Sequence, residues 1–542
     1  MLININAAKC VGIEAVRVTV EVDVTSGIGI HLVGLADVAV KESLMRTMTA
    51  LQAMGFRIPG RKIVINLAPA DLHKNGSGYD LPIALGIIAA SQQAEMPLLG
   101  RYLIMGELGL DGSLRYISGA LPFAELAAGL GLKGCILPER SALEAASISG
   151  IDVYGAKNLA DVLRVLCGGV PGYADDLLIR ESELYRNSLA GEDGAGSGVM
   201  DFSEIVGQDA AKRGAEIAVA GGHNMILIGS PGSGKSSLAK AISGILPPMT
   251  PEESLLTSKI YSAAGKSSGA GLIRRRPFRA PHYSASLSSL IGGGSSAGIS
   301  PGEVSLANGG VLFLDELAQM PKSLIEALRS PMEDRSVCIS RLRTKIIYPA
   351  SFMLVAATNP CPCGYYGEGD RCTCTVGQRT GYLSRLSGPI MDRIDIQLWM
   401  HPVEAAKLLS VAGGSARKTS APGGRISPGT YRGESRPETS AEIAGRVRKA
   451  RLIQRERFRD EGISTNAEMS NRHLERFCPL SEECRDILEK IITRMGLSAR
   501  AFSRIIKVSR TIADLSGARD IQPEHIAEAA SYRFLDRKNI GY

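Results

Sequence analysis

The 542-residue sequence contains a single Trp, few aromatic residues (5%) and no long apolar run. Its longest apolar stretch, residues 81–90, is about half of the roughly 20 residues that a membrane-spanning helix needs. Lys9, Glu14 and Arg17 interrupt the apolar residues near the N-terminus, which is not the pattern of a signal peptide. Ten cysteines are too few for a secreted disulfide scaffold of this length. We therefore expect a cytoplasmic protein without a membrane partner.

The remaining composition is close to the globular average, with 44% hydrophobic residues, 22% charged residues, 61 Gly and 26 Pro. This composition excludes collagen-like and wholly disordered chains, and the length suggests two to four domains. Lys and Arg exceed Asp and Glu by 62 to 55, so the formal net charge is +7. A mildly basic chain permits a polyanionic partner without requiring one.

The order of helical and strand-like patterns predicts three folded parts and two linkers. The first two parts alternate strands with helices, which favours an α/β domain followed by a doubly wound parallel sheet. Helical periodicity dominates the last part, and Gly, Ser, Pro and Thr are concentrated between the parts, as in flexible linkers. The predicted bounds are 1–170 for the α/β domain, 171–200 for a linker, 201–402 for the parallel-sheet domain, 403–440 for a flexible linker and 441–542 for the helical domain.

A Gly-rich turn lies between a buried strand and a helix start in residues 225–242, MILIGSPGSGKSSLAKAI. It matches the pattern G-x-x-x-x-G-K-[ST] in the required structural context. Such a loop presents backbone N–H groups to nucleotide phosphates, while Lys235 reaches the β and γ oxygens and Ser236 ligates Mg²⁺. The predicted ATP-binding residues are Gly229, Ser230, Pro231, Gly232, Ser233, Gly234, Lys235, Ser236 and Ser237.

Two acidic residues end the apolar strand VLFLDE, about eighty residues after the Gly-rich turn. A strand that ends in two acids beside a phosphate loop is suited to hold Mg²⁺ through Asp315 and to polarise the attacking water through Glu316. The next strand, LVAATN, ends in Asn359, whose amide is suited to orient that water. Together the motifs predict ATP hydrolysis.

Four longer segments, residues 276–294, 301–321, 336–364 and 498–517, closely resemble the ComM/YifB family of magnesium-chelatase-like AAA+ ATPases. The resemblance covers nearly the whole chain. It implies a homo-hexameric ring of AAA+ motor domains, each with a Lon-protease-like (S5-like) N-terminal domain and a C-terminal helical lid. For ComM proteins it also implies a DNA helicase that drives branch migration during natural transformation and homologous recombination. The implied partners are single-stranded, forked or branched DNA and, as candidates, recombination proteins.

Three residues at positions that match the family motifs acquire expected catalytic roles. Asn359 resembles the sensor 1 residue, Arg393 in GPIMDRIDIQL the arginine finger, and Arg500 in SARAF the sensor 2 arginine. A guanidinium inserted from outside the site stabilises the charge that spreads over the transferring phosphoryl oxygens. Arg385 is the competing candidate for the finger, and a surface ion pair would explain Arg393 in the absence of the resemblance.

Residues 336–350, SVCISRLRTKIIYPA, read as two β segments joined around Arg341, Arg343 and Lys345. The segment resembles the pre-sensor-1 hairpin that faces the ring pore in this clade. Three cations on a hairpin tip, repeated around a ring, would contact a DNA phosphate backbone, and the alternative is a solvated turn. A second basic stretch, residues 274–283, resembles the helix-2 insertion of the clade.

Four cysteines, Cys361, Cys363, Cys372 and Cys374, form two C-x-C pairs separated by eight residues. Four thiolates around a Gly-rich loop can satisfy tetrahedral Zn²⁺, although C-x-C is a tighter spacing than the usual C-x-x-C. Reduced thiols without a metal and disulfides are the alternatives. Because the cluster follows Asn359 immediately, a metal there would brace the sensor loop rather than perform chemistry.

Residues 69–90 and 119–139 resemble the proteolytic domain of Lon proteases, whose activity needs a Ser nucleophile activated by a Lys. In the matching pattern Gly78 occupies the Ser position, Pro122 occupies the Lys position, and Ser77 is one place out of register. We expect an inactive scaffold or binding domain. The cations that would form a basic surface on it, or a merely solvated face, are Lys41, Arg46, Arg57, Arg61 and Lys62.

The leading hypothesis from the sequence is an ATP-hydrolysing ring helicase or DNA translocase. A second hypothesis is a chelatase-type ATPase that remodels a protein partner for magnesium insertion into a tetrapyrrole. The basic hairpin and the Lon-like domain argue against this second function. An ATP-dependent protease is disfavoured by Gly78 and Pro122.

Overall fold

The computed structural model contains a first α/β unit, a parallel-sheet unit and a helical unit. Large parts of the two predicted linkers, 171–200 and 403–440, lie outside the described residues, so their flexibility stays a prediction. The structure describes residues 1–34, 37–74, 76–168, 174–187, 200–267, 271–295, 298–341, 344–386, 388–403 and 437–536.

A seven-stranded mixed sheet forms the centre of the first unit. The described residues of this unit form nine strands. The strands are β1 (Leu2–Val11), β2 (Glu14–Thr25), β3 (Gly29–Val33), β4 (Lys62–Ala68), β5 (Tyr102–Ile104), β6 (Glu107–Leu108), β7 (Leu114–Arg115), β8 (Gly134–Pro138) and β9 (Asp152–Ala156). Of these, β6 and β7 pair separately from the sheet. The helices of this unit are α1 (Val38–Ala53), α2 (Asp80–Ala90), α3 (Ala120–Gly129), α4 (Glu139–Ala145) and α5 (Leu159–Cys167). The strand order is β3-β4-β2-β1-β5-β8-β9. Strands β1, β2 and β4 pair antiparallel, and the other neighbours pair parallel.

The longest apolar run of the sequence is the buried helix α2. All but one of its residues are buried, and Ile83 and Ile87 belong to the core of the first unit. Gly86 allows close approach to the sheet, because a Cβ atom there would lie 2.4 Å from Cγ2 of Val22. The run therefore serves the core of a globular unit. Among the described residues, the structure contains no helix that is both long and apolar enough to cross a bilayer.

The second unit contains a five-stranded parallel sheet and two short hairpins. Its strands are β10 (Met225–Gly229), β11 (Phe278–Arg279), β12 (Gly292–Ser295), β13 (Gly298–Pro301), β14 (Val311–Leu314), β15 (Ser336–Arg341), β16 (Thr344–Pro349), β17 (Met353–Thr358) and β18 (Ile396–Met400). Its helices are α6 (Asp209–Gly221), α7 (Lys235–Ile242), α8 (Pro251–Ala263), α9 (Leu287–Ile291), α10 (Glu303–Leu306), α11 (Lys322–Ala327), α12 (Arg329–Asp334), α13 (Val376–Leu383) and α14 (Gly388–Met391).

The parallel sheet has the strand order β11-β14-β17-β10-β18, and every neighbouring pair is parallel. This confirms the prediction of a parallel sheet. Every residue of β10, β14 and β17 is buried, as expected for a sheet covered on both faces. Leu227 and Val355 belong to the apolar cluster on one face, and Ile228 and Leu354 belong to the cluster on the other.

Five helices form the described part of the C-terminal unit. They are α15 (Ser440–Arg457), α16 (Asn471–Phe477), α17 (Glu482–Met495), α18 (Ala499–Ser516) and α19 (Pro523–Ser531). Helix α15 begins with a capping box in which Thr439 and Glu442 satisfy each other's backbone N–H groups. Val447 of α15 and Ile512 of α18 join the same apolar cluster as Leu227 of the sheet. The helical unit thus packs on one face of the parallel-sheet unit.

The first unit rests on helix α8 and on the β15–β16 hairpin of the second unit. The Lys259 ammonium on α8 binds the carboxylates of Glu14 and Glu125 at 2.9 and 2.7 Å. The turn between β1 and β2 lies against β16, because a Cβ atom on Gly12 would be 2.8 Å from Cγ2 of Ile346. The hairpin and the first unit are therefore in direct contact.

Candidate functional site

The Gly-rich turn after β10 has the conformation of a phosphate-binding loop. Gly232 and Gly234 adopt φ values of +80° and +91°, which glycine tolerates without strain, and α7 begins immediately afterwards. A Cβ atom on Gly229 would lie 2.4 Å from the carbonyl oxygen of Met400 on β18, so this position also requires glycine. The hydroxyls of Ser230 and Ser233 are buried and have no hydrogen-bond partner within the described residues. The loop therefore offers free polar groups and a helix N-terminus to an anion.

Lys235 is buried at the base of this loop. Its ammonium donates to the carbonyl oxygens of Gly229 and Ser230 at 2.6 and 2.8 Å and to Oδ1 of Asn359 at 3.3 Å. Burial lowers the pKa of Lys235, and the nearby carboxylates of Asp315 and Glu316 oppose that shift. The Lys235 ammonium is thus held at the base of the loop, next to the side chain of Asn359.

The acidic pair lies at the same edge of the sheet as the loop. The Ser236 hydroxyl donates to Oδ2 of Asp315 at 2.8 Å, which brings together the two groups expected to hold Mg²⁺. Glu316 has φ of +52°, an uncommon conformation for a residue with a side chain, and its N–H donates to Oδ1 of Asp315 at 2.9 Å. Asn359 follows β17, the strand between β14 and β10. Ser237 lies in the first turn of α7, and Pro231 is exposed on the loop.

The predicted catalytic arginines lie at the opposite edge of the sheet. Asn224, the residue before β10, donates its side-chain N–H to the carbonyl oxygen of Arg393 at 3.0 Å, whereas the phosphate loop follows the other end of β10. Five strand residues span about 16 Å. Arg500 of α18 pairs with Asp392 at 2.9 Å, and Arg393 pairs with Glu333. Both arginines line one open cleft. The structure therefore groups Arg393 with Arg500 and separates both from Lys235 of the same chain.

An ion-paired cluster below this cleft joins the helical unit to the sheet. The buried carboxylate of Asp395 pairs with Arg504 of α18 and contacts Nδ1 of His223 at 3.3 Å. Burial alone would raise the pKa of Asp395, but the Arg504 guanidinium and His223 hold it well below its usual range. The competing finger candidate, Arg385, is exposed three residues after the buried Tyr382.

Strands β15 and β16 form the predicted hairpin. They pair antiparallel from Ser336 with Pro349 to Arg341 with Thr344. Alternate residues such as Ile339 and Tyr348 are buried, whereas Lys345 is exposed on the other face. Arg343 and the side chain of Arg341 lie outside the described residues, so the basic tip stays a prediction.

Two arginines of the second basic stretch form ion pairs within the second unit. Residues 278–279 form the edge strand β11, and Arg279 pairs with Glu303 at 2.6 Å. Arg276 pairs with Glu253 at 2.7 Å and donates to the carbonyl oxygen of Gly309. These two arginines are therefore less available to a nucleic acid than the sequence suggests.

Comparison with known proteins covers all three units. Family models for magnesium chelatase subunit ChlI match residues 201–408 and 20–141, and a model for the C-terminal part of that subunit matches residues 437–533. The competence protein ComM of Haemophilus influenzae is 40% identical over 527 residues, which cover 97% of this chain and 96% of that protein. The YifB proteins of Escherichia coli and Salmonella typhimurium are 40% and 38% identical over 534 residues, with 98% of this chain and 97% of each relative covered.

The chain belongs to the ComM/YifB family of magnesium-chelatase-like AAA+ ATPases.

In this family member the four cysteines are brought together in the loop after β17. All four sulfur atoms of Cys361, Cys363, Cys372 and Cys374 lie within 4.8 Å of one another. Cys361 is buried and the other three are half-buried. The arrangement suits a single tetrahedral metal ion, so the four residues fit the ligand set predicted from their spacing.

In the first unit of this ComM/YifB protein, the residues at and next to the protease Ser and Lys positions make structural contacts. The Ser77 hydroxyl donates to the carboxylate of Glu107. A Cβ atom on Gly78 would lie 3.0 Å from Cε of Met105, and Pro122 is buried within α3. Arg46 of the suggested basic surface binds the buried Asp80 at 3.0 Å. These contacts are consistent with the prediction of a scaffold or binding domain.

Gln208, which was not among the residues predicted from the sequence, fixes the phosphate loop from outside. The Gln208 side-chain amide donates to the carbonyl oxygens of Ser233 and His401 at 3.1 and 2.6 Å. Gly207 and Gln208 both adopt positive φ just before α6. The dipeptide Gly-Gln before a helix marks a special backbone conformation in the sequence. Because it lies far from the phosphate loop in sequence, the pattern does not predict the contact between Gln208 and that loop.

Proposed function

We propose that this ComM/YifB family ATPase works as a subunit of a hexameric ring that hydrolyses ATP and moves along DNA. The proposed activity is that of a helicase or translocase that promotes branch migration during natural transformation and homologous recombination. The main support is the position of its catalytic groups. The phosphate loop and acidic pair occupy one edge of the parallel sheet, and Arg393 and Arg500 occupy the other.

Groups at opposite edges complete one site when two copies of the chain associate head to tail around a ring. In that arrangement the guanidinium of Arg393 enters the neighbour's site and stabilises the charge on the transferring phosphoryl group. Arg500, on α18 of the helical unit, would report the nucleotide state from the same side. Hydrolysis then depends on ring assembly.

Within one subunit, the residues of the acidic edge have distinct roles in hydrolysis. Ser236 and Asp315 would hold Mg²⁺, which would neutralise charge on the phosphates. Lys235 binds the phosphate oxygens, and Glu316 accepts a proton from the attacking water. The amide of Asn359 orients that water. The 2.8 Å contact between Ser236 and Asp315 supports this assignment of roles.

The proposal that the ring acts on DNA has separate support. The hairpin exposes Lys345, and the predicted basic tip at residues 341–345 would contact phosphates around a ring pore. The relative from Haemophilus influenzae is a competence protein by name, which supports a role in the processing of incoming DNA. The net charge of +7 is compatible with that partner.

The decisive experiment measures ATPase rate with and without forked or Holliday-junction DNA. We expect DNA to stimulate the ATPase rate of the wild type, and we expect Glu316→Gln to lower that rate by at least about a hundredfold. A triple Ala variant at Arg341, Arg343 and Lys345 should keep its basal rate and lose the stimulation. Its matched control removes three exposed cations from α17: Arg485, Lys490 and Arg494.

The alternative is a chelatase-type ATPase that remodels a protein partner for magnesium insertion into a tetrapyrrole. The observation that favours it is the family model, which describes a magnesium chelatase subunit over residues 201–408. A wild-type hydrolysis rate that ignores every DNA tested would reject the DNA motor and favour this alternative.

A further inference from the structure

The four-cysteine loop between β17 and α13 has sulfur positions close to those of a tetrathiolate metal site. The sulfur of Cys361 lies 3.3 Å from that of Cys363 and 3.8 Å from that of Cys372. The sulfurs of Cys363 and Cys372 are 3.7 Å apart. A tetrahedron with Zn–S bonds of about 2.3 Å has sulfur–sulfur edges of about 3.8 Å. The observed separations therefore match one shared ion and exceed the length of a disulfide bond.

The first C-x-C pair lies in a tight turn. The N–H of Gly364 donates to the carbonyl oxygen of Cys361 at 3.0 Å. This turn brings the sulfur atoms of Cys361 and Cys363 to 3.3 Å from each other.

The loop has little else to stabilise its conformation. Between β17 and α13 it contains one short 3₁₀ turn, Gly369–Arg371, and no other regular element among its described residues. Its tyrosines are half-buried: Arg371 stacks on Tyr365 at 4.5 Å, Arg379 of α13 stacks on Tyr366 at 4.3 Å, and Tyr366 meets Trp399 edge-on at 6.3 Å. A metal cross-link would add to these few contacts.

We propose that Cys361, Cys363, Cys372 and Cys374 bind one Zn²⁺ ion as thiolates, and that this ion holds the loop against the nucleotide site. Each thiol loses its proton when it binds the metal. The ion has a structural role because four protein ligands leave no open coordination position.

The contact between the loop and the nucleotide site is direct. A Cβ atom on Gly364 would lie 2.9 Å from Cδ of Pro231 in the phosphate loop and 3.8 Å from Cγ of Asn359. On its other side the loop meets β18, because a Cβ atom on Gly367 would lie 3.4 Å from Cζ2 of Trp399. Loss of the ion should therefore disturb the phosphate loop and Asn359. This second half of the inference rests on the proposed ATPase function, whereas metal binding does not.

The first test is metal analysis of the full-length chain prepared without chelators. We expect about one zinc per chain in the wild type and less than about 0.3 in Cys363→Ser/Cys372→Ser. The control, Cys338→Ser, changes an exposed cysteine on β15 and should retain the zinc. Wild-type protein with less than about 0.3 zinc, or with iron in its place, would overturn the assignment.

The second test uses the single Trp of the chain as a local reporter on wild-type protein, so it does not depend on whether a variant folds. A strong zinc chelator should release thiols and shift the emission of Trp399 to longer wavelength, and added Zn²⁺ should reverse the shift. An emission spectrum that does not respond while zinc is removed would reject the bracing role.

ATP binding by the same samples separates the two proposals. We expect the dissociation constant for ATP to rise about tenfold on zinc removal and to recover with Zn²⁺. Zinc binding with unchanged ATP affinity would overturn the link to the nucleotide site and leave the metal site standing. Zinc binding in a chain that binds no ATP at all would instead contradict the proposed function.

Discussion

Glu144 is a carboxylate that the fold removes from water where the first unit meets helix α8. It is 2% exposed, and its Oε1 atom has no hydrogen-bond partner within the described residues. Burial raises the pKa of Glu144 to about 7. At neutral pH the contact between the units therefore contains a carboxyl group that is close to half protonated.

The raised pKa makes this contact sensitive to pH. Because the folded pKa of about 7 exceeds the ordinary value of 4.5, the contribution of Glu144 to stability is fully present below pH 4.5. This contribution to the free energy of unfolding, about 3 kcal/mol in full, is lost as the pH rises through about 7. We expect Glu144→Gln to flatten the fall in thermal midpoint between pH 5 and pH 8. Thermal denaturation of both proteins measures this, with the exposed Glu475→Gln as control. Identical pH slopes in wild type and Glu144→Gln would contradict it.

At the scale of elements, the cysteine loop and the phosphate loop touch through a glycine. Gly364 has φ of +87°, and a side chain there would press against Pro231. Such a substitution combines backbone strain with a displaced phosphate loop. Gly381, within α13, has no atom within 4 Å of its Cβ position.

We expect Gly364→Ala to weaken ATP binding about tenfold, the equivalent of about 1.4 kcal/mol. Gly381→Ala should leave the dissociation constant unchanged, because its Cβ atom meets open space. Equilibrium binding of a fluorescent ATP analogue checks both. Equal affinities in the two variants would show that the contact with Pro231 has no effect on the nucleotide.

A buried carboxylate also holds the helical unit together. Asp514 of α18 accepts hydrogen bonds from Arg457 of α15 at 2.9 Å, from Arg510 at 3.1 Å and from Asn466 at 2.8 Å. Its side chain has no exposed surface. Two guanidinium groups thus depend on one acid for neutralisation.

Asp514→Asn should lower the free energy of unfolding by about 3 to 5 kcal/mol, because it leaves the buried Arg510 and the half-buried Arg457 without a counter-charge. The exposed Asp486→Asn on α17 should change it by less than about 0.5 kcal/mol. Denaturant unfolding followed by circular dichroism measures both. A change of similar size in the two variants would argue against the buried network.

At the scale of the whole molecule, the separation of Lys235 and Arg393 by the length of β10 predicts shared sites. Lys235→Ala and Arg393→Ala should each abolish hydrolysis. An equal mixture should recover about a quarter of the wild-type rate, because about one interface in four would pair an intact loop with an intact arginine. ATPase assays on the mixture and on each variant alone test this. A mixture as inactive as its components would place the arginine in its own chain's site.

The sequence alone was enough to predict the residues of the acidic edge. The loop from Gly229 to Ser236 and the strand that ends in Asp315 are local patterns, so short-range geometry sufficed to predict them. The parallel sheet and the β15–β16 hairpin were likewise predicted, because hydrophobic periodicity reports which faces are buried. The roles of these residues in catalysis stay predictions.

Only the tertiary structure decided which distant residues meet. It grouped Arg393 with Arg500 at the far edge of the sheet, and it pressed Gly364 against Pro231. It also paired Arg276 with Glu253. Such contacts join segments that are far apart in sequence, so their distances depend on strand order and on packing rather than on local pattern. The sequence determined what each segment can do, and the strand order determined which segments act together.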